Sequence, residues 1–146
     1  MSEPGIKTSS VSFLPYKIKG NEISIFLQKR TSDAPTFPGA FFPFGGETET
    51  GEDSRATLIR ELQEELVYKP VHEKYVGALE YPGHTIHVYI EQVEDDFQNI
   101  VKVMEGDYGK FLTEQEICSE SEVPQEMKKV IPKFFDIIRS FNGKQE

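Results

Sequence analysis

Glu61, Glu64 and Glu65 lie within the hexapeptide RELQEE (60–65), in a run of helix-forming residues from about Arg55 to Val67. At about 100° per residue, Glu65 falls near +40° and Glu64 near −60° of Glu61, so three carboxylates share one edge of the predicted helix. Like charges at this spacing cost about 0.2–0.5 kcal/mol per pair. In a chain of formal net charge −9 they bring no structural gain. Convergent carboxylates suit a hard divalent cation, Mg²⁺ or Mn²⁺, and magnesium commonly shares its shell with waters and substrate phosphates. Arg60 is placed to pair with Glu64 four residues on, or to reach back to Glu52, locking one carboxylate while leaving others free. A solvated acidic face would show the same pattern, and spacing alone leaves both readings open.

The elements that must position these groups can be read around them. Leu58, Leu62 and Leu66, with Ile59 beside them, form an apolar stripe that would pack the helix on a sheet. SSVSFLPYKI and NEISIFLQKR read as strands joined at Lys19-Gly20-Asn21. Residues 31–46, with three prolines and three glycines, predict a long loop or broken strand of the kind that carries function. VHEKYVGALEYP and HTIHVYIEQV predict a second strand pair around Pro82-Gly83, with His84, Ile86, Val88 and Ile90 alternating against Thr85, His87, Tyr89 and Glu91. An irregular acidic segment (94–113) and a short EQEIC helix follow. The tail then places Met127, Val130, Ile131, Phe134, Ile138 and Phe141 at helical spacing, and Pro132 is expected to kink that helix or start a new one. The fold class expected is α/β, a mixed sheet between helices.

Length and composition bound the function. A chain of 146 residues, 37% hydrophobic, fits one domain over 1–146 with a sizeable core. The acidic balance argues against a polymeric nucleic-acid partner, which needs a basic stripe. It is compatible with a small anionic substrate once a metal or a local Arg reverses the field. Cys118 is the single cysteine, so no internal disulfide and no cysteine-based zinc site can form. No leader pattern and no membrane-length apolar run is present, which leads to the expectation of a cytoplasmic protein without a membrane partner.

The stretch from Gly46 resembles the Nudix box: Gly, five residues, Glu, seven residues, Arg-Glu-aliphatic-any-Glu-Glu-any-Gly-aliphatic. Gly46, Glu52, Arg60, Glu61, Leu62, Glu64 and Glu65 fall in register. Val67 replaces the final Gly and Tyr68 the closing aliphatic. The missing Gly predicts a helix running another residue or so, stopping before Lys69-Pro70. The resemblance implies an α/β/α sandwich and Mg²⁺- or Mn²⁺-dependent hydrolysis of a nucleoside diphosphate linked to another group. Carried over by position, Glu64 and Glu65 would be metal ligands, Glu61 a ligand or base, and the Gly45 carbonyl a further ligand. Glu52 and Arg60 would hold the loop against the helix. EGDYGKF (105–111) resembles the loop that supplies the base in nucleoside triphosphate hydrolases, which makes Glu105 the candidate base, with a plain turn residue as the alternative. Arg30 is a candidate phosphate contact, and Phe37, Phe44 and Tyr89 are candidates to stack on a base, with core packing the alternative for each Phe.

Other motifs fail on their own terms. Glu52-Asp53 stand where a P-loop needs Lys-Ser/Thr. No alternating Asp/Asn ligands make an EF-hand. His84 and His87 would point to opposite faces of a strand and cannot pair on zinc. The expected substrate is a small nucleotide: a nucleoside triphosphate cleaved to nucleoside monophosphate and pyrophosphate, oxidised forms such as 8-oxo-dGTP included. The alternatives are ADP-ribose or a nucleotide sugar, or a Nudix-fold protein that binds nucleotides without catalysis. Monomer and homodimer are both open.

Overall fold

A computed structural model describes residues 7–143. Its elements run β1 (Thr8–Lys19), β2 (Glu22–Lys29), β3 (Phe41–Phe42), β4 (Phe44–Glu47), α1 (Ser54–Leu66), β5 (Lys74–Tyr81), β6 (His84–Gln92), α2 (Phe97–Ile100), β7 (Tyr108–Thr113), α3 (Glu114–Ser119) and α4 (Gln125–Gly143). The strands form one mixed sheet in the order β3-β2-β1-β6-β5, with β4 also on β1 and β7 on β2. Strand β1 is parallel to β6, and the other pairings are antiparallel. On its second edge β1 meets β4 over Ser10–Phe13 and β2 over Tyr16–Lys19. Pro15 falls in the gap between those partners, which is how a central strand tolerates a residue without an N–H.

Alternation along the strands divides the core in two. On one face Val11, Phe13, Phe26, Phe44 and Tyr89 pack with Leu58, Leu62 and Leu66 of α1. On the other, Leu14, Tyr16, Ile25, Leu27, Val88 and Ile90 pack with Ile131, Phe134, Phe135 and Ile138 of α4. Helices therefore cover both faces of a mixed sheet, as expected. Asp53 caps α1 by accepting from the Ala56 N–H at 2.8 Å, a contact worth about 1 kcal/mol.

Three expectations need correction. The segment at 94–113 is not irregular throughout: it contains α2 and the six-residue strand β7, which completes the sheet beside β2. Of the two outcomes expected at Pro132, a new helix is ruled out, since α4 continues through it. Four fully buried side chains on that helix each contribute about 1.5–3 kcal/mol, against about 3 kcal/mol for an interior proline. Helix α1 stops at Leu66 rather than running on, because Val67 itself takes the left-handed conformation at φ 49, ψ 48. No described helix is long and apolar enough to cross a membrane.

Candidate active site

Strand β4 delivers the backbone against which the acidic helix works. Gly45, at φ 136, lies so close to β1 that a Cβ would sit 1.9 Å from the Val11 carbonyl oxygen. A Cβ on Gly46 would lie 2.5 Å from the Glu61 carboxyl carbon. Only glycine lets both neighbours approach this far. The Gly45 N–H donates to Glu65 Oε1 at 2.8 Å, and Gln28 Nε2 lies 3.4 Å from Glu65 Oε2.

Arg60 organises the loop before the helix. Its Nε donates to Glu52 Oε2 at 2.7 Å and its Nη2 to Glu52 Oε1 at 3.0 Å, a two-pronged pair. Nη2 also reaches the Glu47 carbonyl at 3.0 Å, while Nη1 donates to Glu61 Oε1 at 2.7 Å and lies 3.6 Å from Glu64. The Glu49 N–H (2.9 Å) and the Thr57 hydroxyl (3.0 Å) complete the shell of Glu52. The Arg60 hydrogen bond, above all, holds the Glu52 carboxyl down at about 2. Glu52 and Arg60 thus tie the loop to the helix.

The remaining carboxylates are under strain of charge. Glu65 is almost wholly buried, and burial first, then repulsion from Glu61 and Glu105, pushes its carboxyl up to about 8. Burial also raises Glu61, with Arg60 opposing and Glu64 and Glu105 adding like charge. Repulsion from Glu105 thus reaches both Glu61 and Glu65, although Glu105 is some forty residues downstream. Glu105 is held between two backbone bonds, Met104 N–H to the Glu65 carbonyl (2.9 Å) and Asp107 N–H to the Lys29 carbonyl (2.8 Å).

Among the described residues no three acidic, histidine or cysteine side chains stand in ready ligand geometry. Glu65 is turned to Gly45, Glu61 to Arg60, and Glu64 is half exposed. The donor set nonetheless fits Mg²⁺ or Mn²⁺: it is all oxygen, and it carries excess negative charge that a cation would neutralise.

Beside Gly45-Gly46, on the α4 face of the sheet, opens a groove of about 470 Å³. Phe37, Phe42, Ile86, Met127 and Phe134 give it apolar walls; Ser10, Ser12, Arg30 and His84 give it polar ones. Phe37 and Phe42 stack at 5.1 Å, and Phe37 is the exposed partner at φ 47. Arg30 lines the groove but is engaged by Thr36, through its carbonyl at 2.7 Å and its hydroxyl at 3.2 Å. Two expected base contacts are corrected. Phe44 borders the groove, yet its ring is fully buried and stacked on Phe26 at 5.8 Å. Tyr89 lies on the opposite, α1 face, its hydroxyl 2.7 Å from that of Ser54. Sequence reading missed Phe42, His84, Ile86 and Met127 as groove residues. The alternation in β6 grouped His84 with Ile86 and apart from Tyr89, and that grouping was the available signal.

Comparison with known proteins agrees with this fold. The NUDIX domain model matches residues 7–134. The 8-oxo-dGTP diphosphatase of Escherichia coli is 35% identical over 71 residues, 49% of this chain and 54% of that protein, so the match spans about half the relative's length. A crystal structure from Deinococcus radiodurans superposes with a TM-score of 0.72 at 15% identity, covering 90% of this chain and 87% of the other. An Ap4A hydrolase from C. elegans gives 0.65 at 19% identity, covering 90% and 98%. These structures share the fold, and the family model spans the sheet, the acidic helix and the start of α4. The chain belongs to the Nudix family.

Proposed function

We propose that the protein is a divalent-metal-dependent pyrophosphohydrolase that cleaves nucleoside triphosphates to nucleoside monophosphate and pyrophosphate. One observation carries this reading: the aromatic groove is lined by the same Gly45-Gly46 pair against which the Glu65 and Glu61 carboxylates of α1 stand. A base can lie between apolar walls while its phosphates reach the acidic cluster. The E. coli relative, an 8-oxo-dGTP diphosphatase, supports the same substrate class.

In this mechanism Glu61, Glu64, Glu65 and the Gly45 carbonyl would hold Mg²⁺ or Mn²⁺, which when bound would supply charge to neutralise phosphate oxygens and to acidify water. Glu105 takes the proton of the attacking water as its oxygen bonds to phosphorus and the anhydride bond breaks. Arg60, bound to Glu52 and Glu61, keeps the loop and helix in register and touches no substrate. Arg30 exchanges Thr36 for a phosphate oxygen, and Phe37 and Phe42 flank the base.

The test is a hydrolysis panel with Mg²⁺ or Mn²⁺: ordinary and oxidised nucleoside triphosphates, ADP-ribose, nucleotide sugars and dinucleoside polyphosphates. Selective pyrophosphate release from triphosphates, lowered by at least about 10²-fold in Glu64→Gln, is expected. Preference for ADP-ribose or a nucleotide sugar would replace the substrate class. Turnover unchanged by Glu64→Gln would overturn the mechanism, and nucleotide binding without any turnover would make this a binding protein.

A further inference from the structure

The chain departs from its family's box where α1 ends, and the structure shows what stands in for the missing glycine. Val67 holds a left-handed conformation that a β-branched residue resists. The exit is closed by Val67 N–H to the Gln63 carbonyl (3.2 Å) and Tyr68 N–H to the Leu62 carbonyl (3.3 Å). Beyond it the Tyr68 hydroxyl donates to the buried Glu91 carboxylate of β6. Glu91 also accepts the Val71 N–H (2.9 Å) and the His72 N–H (2.6 Å). The Tyr68 ring is wedged edge-on to Phe97, 5.2 Å between centroids. One buried carboxylate thus gathers the whole turn that follows the helix.

That turn matters because of what the end of the helix holds. The Leu66 and Glu65 carbonyls accept the N–H groups of Lys102 and Met104, each at 2.9 Å. This pair of bonds carries the segment that ends in Glu105. If the last turn of α1 shifts, its carbonyls shift, and Glu105 moves relative to Glu61 and Glu65.

We propose that Tyr68 and Glu91 are positioning residues for Glu105: the hydroxyl–carboxylate clamp replaces the box glycine, fixing the left-handed exit of α1 and through it the register of residues 102–105. The proposal rests on the reading of Glu105 as the base. Tyr68→Phe tests it, since the ring stays and only the clamp is lost.

Two measurements on the full chain are needed: amide hydrogen exchange in the metal-free protein, and kcat and KM on a nucleoside triphosphate. Exchange at Lys102 and Met104 should speed up about tenfold or more, with Leu58 in the helix interior unchanged. kcat should fall about fivefold or more at unchanged KM, the result of a misplaced base. Val67→Gly in the Tyr68→Phe background should restore both, because glycine needs no clamp to hold the exit. Unchanged exchange at Lys102 and Met104, loosened exchange with wild-type kcat, or failure of Val67→Gly to rescue would each overturn the proposal. Absence of turnover in the wild type would instead remove the base role of Glu105, and exchange would then decide the positioning by itself.

Discussion

Replacing Gly46 with Ala separates activity from stability. The added Cβ would stand 2.5 Å from the Glu61 carboxyl carbon and Oε1, and 2.8 Å from Oε2. Ordinary contact requires a retreat of about 1 Å. Nothing else crowds the new methyl closely enough to rank before Glu61, and what it meets is the far end of a flexible side chain. The fold can therefore yield at little cost, and loss of a glycine's unfolded-state freedom favours the native state by about 0.4–1 kcal/mol. Denaturation midpoints should stay level or rise. A 1 Å displacement of a group that positions metal or water lowers turnover by about 10²-fold. The assay pairs chemical denaturation with kcat on the best substrate of the panel. A kcat within twofold of wild type would show that the Glu61 carboxylate is not needed where it sits. A drop in stability above about 1 kcal/mol would refute the premise that only a flexible side chain moves.

Glu65 and Val67 give two further tests. The Glu65 carboxyl is raised from 4.5 to about 8 in the folded, metal-free protein, so the native state binds the extra proton and stability falls as pH rises through that window. Glu65→Gln should flatten the fall, by at most about 1.4 kcal/mol per pH unit, in urea titrations at pH 5 to 8; an unchanged slope would refute this origin. Single Val67→Gly should stabilise the protein by about 1 kcal/mol, the relief of a β-branched left-handed residue less glycine's entropy, and a lowered denaturation midpoint would count against strain at that position.

Periodic residues made most of this architecture readable. The α1 stripe of Leu58, Leu62 and Leu66 and the alternation in β6 announced their partners, because each pattern has one period and one buried side. β7 escaped because Gly109 interrupts its pattern and acidic residues precede it, while its pairing with β2 is a tertiary contact that no local signal encodes. Pro132 and Val67 misled for the same reason: local preference argued one way, and burial on α4 or closure around Glu91 outweighed it. Within the site, spacing put three carboxylates on one helix edge, and only the resemblance to the Nudix box gave them roles. Phe44 and Tyr89 were misjudged because alternation says which residues share a face, but not which face the substrate meets.

The parallel pairing of β1 with β6 has a kinetic consequence. One edge of β1 finds its partners soon after synthesis, in β2 and β4, but the other must wait for residues 84–92. At about 5–20 residues per second, a nascent chain carries that open, phenylalanine-bearing edge for several seconds. Contacts this distant in sequence also slow the final closure of the sheet. Since β4 and α1 are both anchored through β1, the acidic cluster cannot be assembled on a finished sheet until β6 has docked. The strand that seats the glycines of the site is therefore also the one most exposed to wrong partners while the protein is being made.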